Sequence, residues 1–152
     1  MECRWRATGG DILVTSSGLG SGGPSSVIRV DPVSGSQTTV STGGDFDDPR
    51  GIAVEADGDI LVADLADGVI RVDPVTGAQT TVSSGGSFVT PYGVTLEADG
   101  DILVADLSAF NGVGAVFRVD PFSGVQTTVA TGGSMRGPNG IAVVKRAAGG
   151  QR

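Results

Sequence analysis

The stretch Ile-Arg-Val-Asp-Pro-Val occupies residues 28–33 and recurs unchanged at residues 70–75, and Phe-Arg-Val-Asp-Pro-Phe occupies residues 117–122. The aspartates of these three copies are 42 and 47 residues apart. The strings Asp-Ile-Leu-Val and Gln-Thr-Thr-Val also occur three times each, in the same order around it. Self-similarity at such a period is the signature of a protein built from repeated structural units. The chain of 152 residues therefore holds three copies of one unit of 42 residues, two of them with insertions.

Each unit is predicted to form four short antiparallel strands, A to D. Asp-Gly between two apolar runs predicts a tight hairpin between A and B. Asp-Pro-x-Ser/Thr-Gly predicts a turn between C and D, and the polar Gln-Thr-Thr-Val suits an outer edge strand. Four antiparallel strands per repeat of this length are typical of a β-propeller blade. The predicted fold class is therefore all-β, with three blades' worth of strands and no helix beyond a turn or two.

The blades are assigned to residues 11–145, between an N-terminal segment, residues 1–10, and a disordered tail, residues 146–152. The first copy has no clear strand A of its own, and two alternatives stay open. Residues 3–6 are a decayed strand A, or a closing strand at residues 140–145 completes the first blade. The three blades span residues 11–50, 51–92 and 93–139.

Insertions of six and five residues distinguish two of the copies, and both fall between strands B and C. Variable loops at one fixed place in a repeat share one face of the assembly. We expect Gly58 and Gly100 to hold positive φ in the A–B hairpins, where a β-branched residue is strained. Gly112 and Gly114 lie in an insertion loop, where we expect substitution to be tolerated.

Composition excludes several classes of function. The net charge is −7, from 10 basic and 17 acidic residues, which argues against nucleic acid as a partner because phosphate binding needs a basic surface. Without histidine and with a single cysteine, the chain has no Ser-His-Asp site, internal disulfide or thiolate metal cluster. No apolar run predicts a membrane span or a signal peptide. As given, the chain is expected to be cytoplasmic, and to be secreted if it is a fragment of a longer exported protein.

Three motifs of the middle unit carry a family resemblance. Pro-Arg-Gly-Ile-Ala-Val at 49–54, Asp-Gly-Asp-Ile-Leu-Val-Ala-Asp at 57–64 and Arg-Val-Asp-Pro at 71–74 resemble the NHL-repeat propellers. They are equally similar to the six-bladed group that includes the TolB C-terminal domain and the gluconolactonases, and the Asp-Pro turn resembles that of virginiamycin B lyase. The resemblance, over about residues 10–145, implies a propeller fold. By the same resemblance, virginiamycin B lyase depends on a catalytic histidine. This chain has no histidine, so a lyase of that type is excluded.

Positions that are constant between the copies are predicted to be structural. The aspartate before each turn proline should initiate its turn, the strand-C arginines should pair with blade carboxylates or cover apolar surface, and Asp64 and Asp106 are expected to be structural. Glu55 and Glu97 recur at one blade position and are also expected to be structural. Asp57 and Asp59 beside Gly58 offer hard oxygen ligands of the kind that calcium prefers, but the hairpin explains them without a metal. The turn aspartates are Asp31, Asp73 and Asp120, and the arginines are Arg29, Arg71 and Arg118.

Positions that differ between the copies are the candidates for function. The x of each Pro-x-Gly lies where the chain enters the innermost strand, so it should face the mouth of the central channel, where concave ligand sites form. The candidate ligand-binding residues are Arg50, Tyr92 and Asn139 at x, with Asp47, Asp48 and Thr90 beside them. No catalytic or metal-ligating residue is assigned. Phe46, Phe88 and Met135 are predicted to be core residues between blades.

The leading interpretation is a non-enzymatic NHL-like module that binds a ligand or acts as a scaffold, with no cofactor. The alternative is a metal-dependent hydrolase of the gluconolactonase type, which by resemblance would hold a divalent ion such as calcium in its channel. A third is a nonfunctional fragment of a larger repeat protein. Because three blades cannot close a ring, the expected partners are a second copy of the chain or further blades of a longer one. The sequence names no small-molecule or protein ligand.

Overall fold

The computed structural model describes residues 10–20 and 22–146, and these form three antiparallel sheets. The first sheet contains β1 (Ile12–Ser16), β2 (Ser26–Val30) and β3 (Gln37–Thr42). The second contains β4 (Pro49–Val54), β5 (Ile60–Asp64), β6 (Gly68–Val72) and β7 (Gln79–Ser83). The third contains β8 (Pro91–Leu96), β9 (Ile102–Asp106), β10 (Ala115–Val119) and β11 (Gln126–Thr131), with a single turn, α1 (Ala109–Gly112), between β9 and β10.

Each strand pairs with the next one along the chain, so every sheet is a meander. The second and third sheets contain the predicted strands A to D, and the first contains B, C and D. The all-β prediction with three blades' worth of strands is therefore confirmed. All three outer hairpins also carry an irregularity at the same place, after Val27, Val69 and Val116.

The turns form for the reasons read from the sequence. Gly58 has φ of 101°, and its N–H donates to the Glu55 carbonyl at 2.9 Å, which closes the A–B hairpin. The Asp73 carboxylate accepts the backbone N–H groups of Val75 at 2.8 Å and Thr76 at 3.0 Å. The first and third units repeat this arrangement around Asp31 and Asp120. The turn aspartates are therefore structural, as predicted.

The apolar core lies between neighbouring sheets, as blade stacking requires. Phe46 is buried with residues of β2, β5 and β6 between the first and second blades. Phe88 packs against the cluster between the second and third blades. Their predicted role as inter-blade core residues is confirmed, and Met135 is half-buried. β5 is buried along its whole length because sheets cover both of its faces.

Glycine permits close approach between blades at two kinds of position. A Cβ on Gly51 of β4 would lie 2.6 Å from the Tyr92 carbonyl oxygen on the next inner strand. On the outer side, a Cβ on Gly77 would collide with the Val40 carbonyl of the preceding blade.

The tolerance expected of the insertion loop is wrong for Gly114. Its φ is 94°, and a Cβ there would collide with Pro138. Gly112 has φ of 88°, so a side chain there is strained as well, although no described atom lies within 4 Å of the Cβ position. The loop is therefore locally packed against the segment that leaves the third blade.

The glutamine at the start of β7 and of β11 bonds its blade to the preceding one. The Gln79 amide donates to Ser41 Oγ at 2.9 Å and to the Gly43 carbonyl at 3.0 Å, and its oxygen accepts the Asp45 N–H at 2.7 Å. Gln126 repeats these bonds toward Ser83 and its neighbours. We call this set of bonds the clasp.

The segment 140–146 is described but forms no strand pair with any described residue. The closing strand at 140–145 therefore stays a prediction, as do the exact blade boundaries. Residues 3–6, the alternative strand A, and residues 147–152 of the expected tail lie outside the described residues. No helix in the described ranges is long and apolar enough to cross a bilayer.

Candidate functional site

The blades present two different ends to their surroundings. One end carries the B–C loops, residues 17–20 with 22–25, 65–67 and 107–114, together with the segments 45–50, 87–92 and 134–139 that lead into the inner strands. We call it the loop face. The opposite end carries the A–B hairpins and the C–D turns, and we call it the hairpin face. All six predicted ligand-binding residues lie on the loop face.

Two buried aspartates build the loop face. Asp64 is fully buried at the end of β5. It accepts the N–H groups of Asp47 and Asp48 at 3.0 and 3.1 Å, and those of Ala66 and Asp67 at 3.0 and 3.3 Å. One carboxylate thus ties the incoming segment to the B–C loop.

Asp106 repeats this arrangement in the third blade. It accepts the N–H groups of Val89, Thr90, Ser108 and Ala109 at 2.8 to 3.1 Å. A buried carboxylate is stable when backbone donors satisfy its oxygens in this way. The structural role predicted for Asp64 and Asp106 is therefore confirmed, and both serve to position the candidate site.

Arg50, Asp48 and Tyr92 come together at the centre of the loop face. Arg50 Nη2 donates to Asp48 Oδ2 at 2.7 Å, and the guanidinium lies 5.4 Å from the centre of the Tyr92 ring. The hydrogen bond to Asp48 raises the pKa of Arg50, so the cation is maintained. Asp48 Oδ1 and Arg50 Nε are buried without a hydrogen-bond partner among the described residues. Such atoms are uncommon in native proteins, and functional sites are one place where they are retained.

The other three predicted residues surround this group less closely. Asn139 is exposed on the segment that packs beside β8. Asp47 is exposed, and its carbonyl accepts the Ser25 hydroxyl at 2.9 Å. Thr90 is half-buried, and its carbonyl accepts the Leu107 N–H at 2.9 Å. The structure thus brings Arg50, Asp48 and Tyr92 into contact and places Asn139, Asp47 and Thr90 on the same face.

Sequence reasoning missed a set of exposed apolar side chains on the loop face. Phe110 is 47% exposed, and it has positive φ together with Asn111. This conformation is strained for a bulky residue, and such strain is concentrated at functional sites. Apolar residues inside an insertion that ends in Asn-Gly were the available signal. The exposed apolar residues of this face are Leu19, Val89, Phe110 and Val113.

The hairpin face carries carboxylate clusters, but arginine engages them. Glu55, Asp57 and Asp59 have ligand atoms within 4.8 Å of one another, as do the matching residues of the third blade. Arg71 Nε and Nη2 donate to the two Glu55 oxygens at 2.5 and 2.9 Å. Arg118 pairs with Glu97 in the same way, and this lowers the pKa of Glu97. The predicted pairing of the strand-C arginines with blade carboxylates, and the structural role of the two glutamates, are therefore confirmed.

A cleft of about 600 Å³ lies between these two A–B hairpins. Its walls include the acidic turns just described, the Arg71 side chain and the exposed ring of Phe122. The six predicted ligand-binding residues are at the opposite end of the blades and take no part in it. The cleft is therefore separate from the candidate site.

Comparison with solved structures identifies the architecture. No protein-family model and no curated protein matches the chain. A chain of the nidogen–laminin complex superposes with a TM-score of 0.65 at 20% identity, covering 76% of this chain and 43% of that one. The three repeats are β-propeller blades.

Two further propellers show the same likeness. A calcium-binding protein, regucalcin, from Agrobacterium tumefaciens gives a TM-score of 0.51 at 26% identity, over 72% of this chain and 36% of that one. A catalytically inactive virginiamycin B lyase from Staphylococcus aureus, solved with quinupristin, gives 0.56 at 16% identity, over 86% and 49%. The propeller blades of this chain thus span less than half the length of these proteins. Some of these propellers are part of a protein complex and some are enzymes, so the shared fold leaves the activity open.

Proposed function

We propose that the chain is a non-catalytic propeller module whose loop face binds a protein or peptide ligand. The observation that carries the proposal is that constant and variable positions of the repeat have different roles. Constant polar residues such as Arg71 and Asp73 form bonds within the blades. Variable residues gather on the loop face, where Arg50 lies against Tyr92.

The chemistry of the loop face suits such a ligand. Arginine and aromatic residues are enriched at the centres of protein interfaces and carry much of their binding energy. Exposed Leu19, Val89 and Phe110 add apolar contact area around them. Loops on a rigid scaffold are also where binding residues concentrate, and the aspartate-bonded B–C loops supply that rigidity.

A random peptide library displayed on phage, selected against the full chain, tests the proposal. We expect enriched peptides to lose at least tenfold in affinity with Tyr92→Ala or Phe110→Ala, because Phe110 is exposed and Tyr92 is half-buried on the loop face. Phe122→Ala, which removes an aromatic ring 96% exposed on the hairpin face, is the matched control and should leave affinity unchanged. Failure to enrich any peptide, or sensitivity to Phe122→Ala alone, would contradict the proposal.

The metal-dependent hydrolase receives less support from the site. Such an enzyme needs a channel with several metal ligands, whereas the carboxylate trios in the described ranges lie at the A–B hairpins, and each glutamate there is bonded to arginine. We expect chelation with EDTA to leave peptide affinity and the unfolding midpoint unchanged. Stoichiometric calcium, zinc or manganese in the purified protein would favour the hydrolase instead.

A further inference from the structure

The first blade has an open inner edge in the described part of the chain, whereas an inner strand A pairs with strand B in the second and third blades. Ile60 and Val62 of β5 pack against Val27 and Phe46 of the preceding blade and are 1% and 0% exposed. The matching residues of β1, Ile12 and Val14, are 49% and 41% exposed. No described residue pairs with the inner edge of β1. The same Ile-Leu-Val sequence is therefore buried where a preceding blade covers it, and exposed in the first blade, which no described blade precedes.

The segment 140–146 occupies the position of an inner strand but belongs to no sheet of the described residues. A Cβ on Gly93 of β8 would collide with the Asn139 carbonyl, just as one on Gly51 would meet Tyr92. The segment thus packs on β8 in the way that β8 packs on β4. Beyond that contact it pairs with nothing in the described ranges, and Val143 and Val144 are 42% and 86% exposed.

The outer faces of the first and third blades also lack a partner in the described residues. Each face carries one side of the contact that joins neighbouring blades inside the chain. No described atom lies within 4 Å of a Cβ position on Gly35, whereas one on the matching Gly77 would collide with the preceding blade. At the other end, a Cβ on Gly44 would lie 2.7 Å from the clasp glutamine of the next blade, and one on Gly133 would meet nothing described. The two open faces therefore match the two sides of an interface that the chain forms twice internally.

We propose that a second copy of this chain fills both ends, so that residues 140–145 of each copy pair with β1 of the other. Two chains then give six complete blades, within the range that closes a ring. The joint is two-fold symmetric, because each copy gives a strand and receives one. This proposal is independent of the ligand proposed above.

The register of the new strand pair follows from the existing blades. Ile52 faces Val62, and Val94 faces Val104, in the A–B pairs of the second and third blades. The equivalent pair is Ile141 with Val14 of the other copy.

Closure would also complete the candidate site. Tyr92 lies on one side of Arg50, and the strand A that the described residues of the first blade do not supply belongs on the other. The partner's Asn139 occupies the x position of that strand and would come beside Arg50, whose Nε has no hydrogen-bond partner in the described part of the chain. The ring would then present the loop face of both copies as one surface.

Light scattering on the full chain provides the first test. We expect twice the chain mass of 15.1 kDa, with Gly35→Ala reducing it to the monomer because its Cβ would block the joint. Gly58→Ala has similar positive φ and no described atom within 4 Å, but lies in a hairpin, so it should remain a dimer. A wild-type monomer, or a mass that grows with concentration beyond two copies, would overturn the proposal.

A disulfide trap tests the register without depending on a destabilised variant. In a Cys3→Ser background, the double variant Val14→Cys, Ile141→Cys should oxidise to a covalent dimer, since directly opposed residues on antiparallel strands lie within disulfide reach. Pairing Val14→Cys with Ala142→Cys places the second thiol on the other face of the strand, and should give at least tenfold less dimer. Equal trapping of both pairs, or a disulfide within one chain, would overturn the strand exchange.

Discussion

Single buried carboxylates determine the shape of the loop face. Asp64 has no exposed surface and accepts four backbone N–H groups from two segments that are otherwise irregular. The chain could not hold residues 45–50 against the B–C loop by apolar contact alone, because those residues are largely polar. The first blade has Ser16 at this position, and there Ser25 Oγ bonds to the carbonyls of Ser17 and Asp47 instead.

Asp64→Asn is expected to destabilise the fold by about 2 kcal/mol, because hydrogen bonds to a charged acceptor are replaced by fewer and weaker ones. The midpoint of urea unfolding should fall accordingly. Asp45→Asn changes an exposed carboxylate on the same face and serves as the control, with no measurable shift expected. Equal effects of the two substitutions would show that Asp64 does not position the loops.

Two aspartates of the hairpin face should respond to pH in opposite directions. Desolvation, with the Asp57, Asp73 and Glu55 carboxylates, raises the pKa of Asp59 above 3.8. Its ionised form therefore opposes folding, and stability is lost as pH rises through the raised pKa. The N–H groups of Thr76 and Val75 lower the pKa of Asp73, so its contribution is present at neutral pH and lost as pH falls through the lowered pKa.

We therefore expect Asp59→Asn to raise the urea midpoint at neutral pH and Asp73→Asn to lower it. Both effects should shrink toward zero in strong acid, where the carboxyl groups are protonated in the folded and unfolded chain alike. Urea titrations across a pH series measure both. A stabilising effect of Asp59→Asn that persists in strong acid would show that ionisation is not its cause.

At the scale of the strand and loop, the repeat allowed the strands and turns to be predicted from the sequence, but not the contacts between them. Asp-Gly and Asp-Pro turns are local chemistry, so the hairpins around Gly58 and Asp73 could be predicted from a few residues. The clasp of Gln79 joins residues more than thirty positions apart, and a recurring Gln-Thr-Thr-Val does not say what the glutamine meets. Phe110 was missed for the same reason, since its exposure depends on how an insertion folds back.

The insertion loop gives the clearest test of these contacts. Gly114→Val should destabilise the chain by about 2 kcal/mol more than Gly112→Val, because overpacking against Pro138 adds to the strain of positive φ. Gly112 has nearly the same φ without a described neighbour, so it isolates the backbone effect. The difference between the two urea midpoints measures the destabilisation caused by the collision with Pro138. Equal midpoints would contradict the contact between the insertion loop and the segment that leaves the third blade.

At the scale of the whole molecule, the three blades form an arc, and the residues that vary between repeats lie on its loop face. The candidate residues on the loop face could be predicted by comparing the three copies of the repeat. Residues that the blade requires are the same in each copy, and the candidate residues differ. Their convergence could not, since the contact between Arg50 and Tyr92 depends on how two inner strands pack through Gly51. The unpaired edge of β1 likewise could be recognised only by comparison with β5 and β9, which are paired on both sides.

Hydrogen exchange with and without a peptide selected from the library tests the central claim, that the loop face binds the ligand. We expect slower exchange confined to residues 17–20, 22–25, 45–50, 87–92 and 107–114, which lie on that face. Protection centred on the A–B hairpins at 55–59 and 97–101, or on the C–D turns, would place the ligand on the hairpin face and contradict the account.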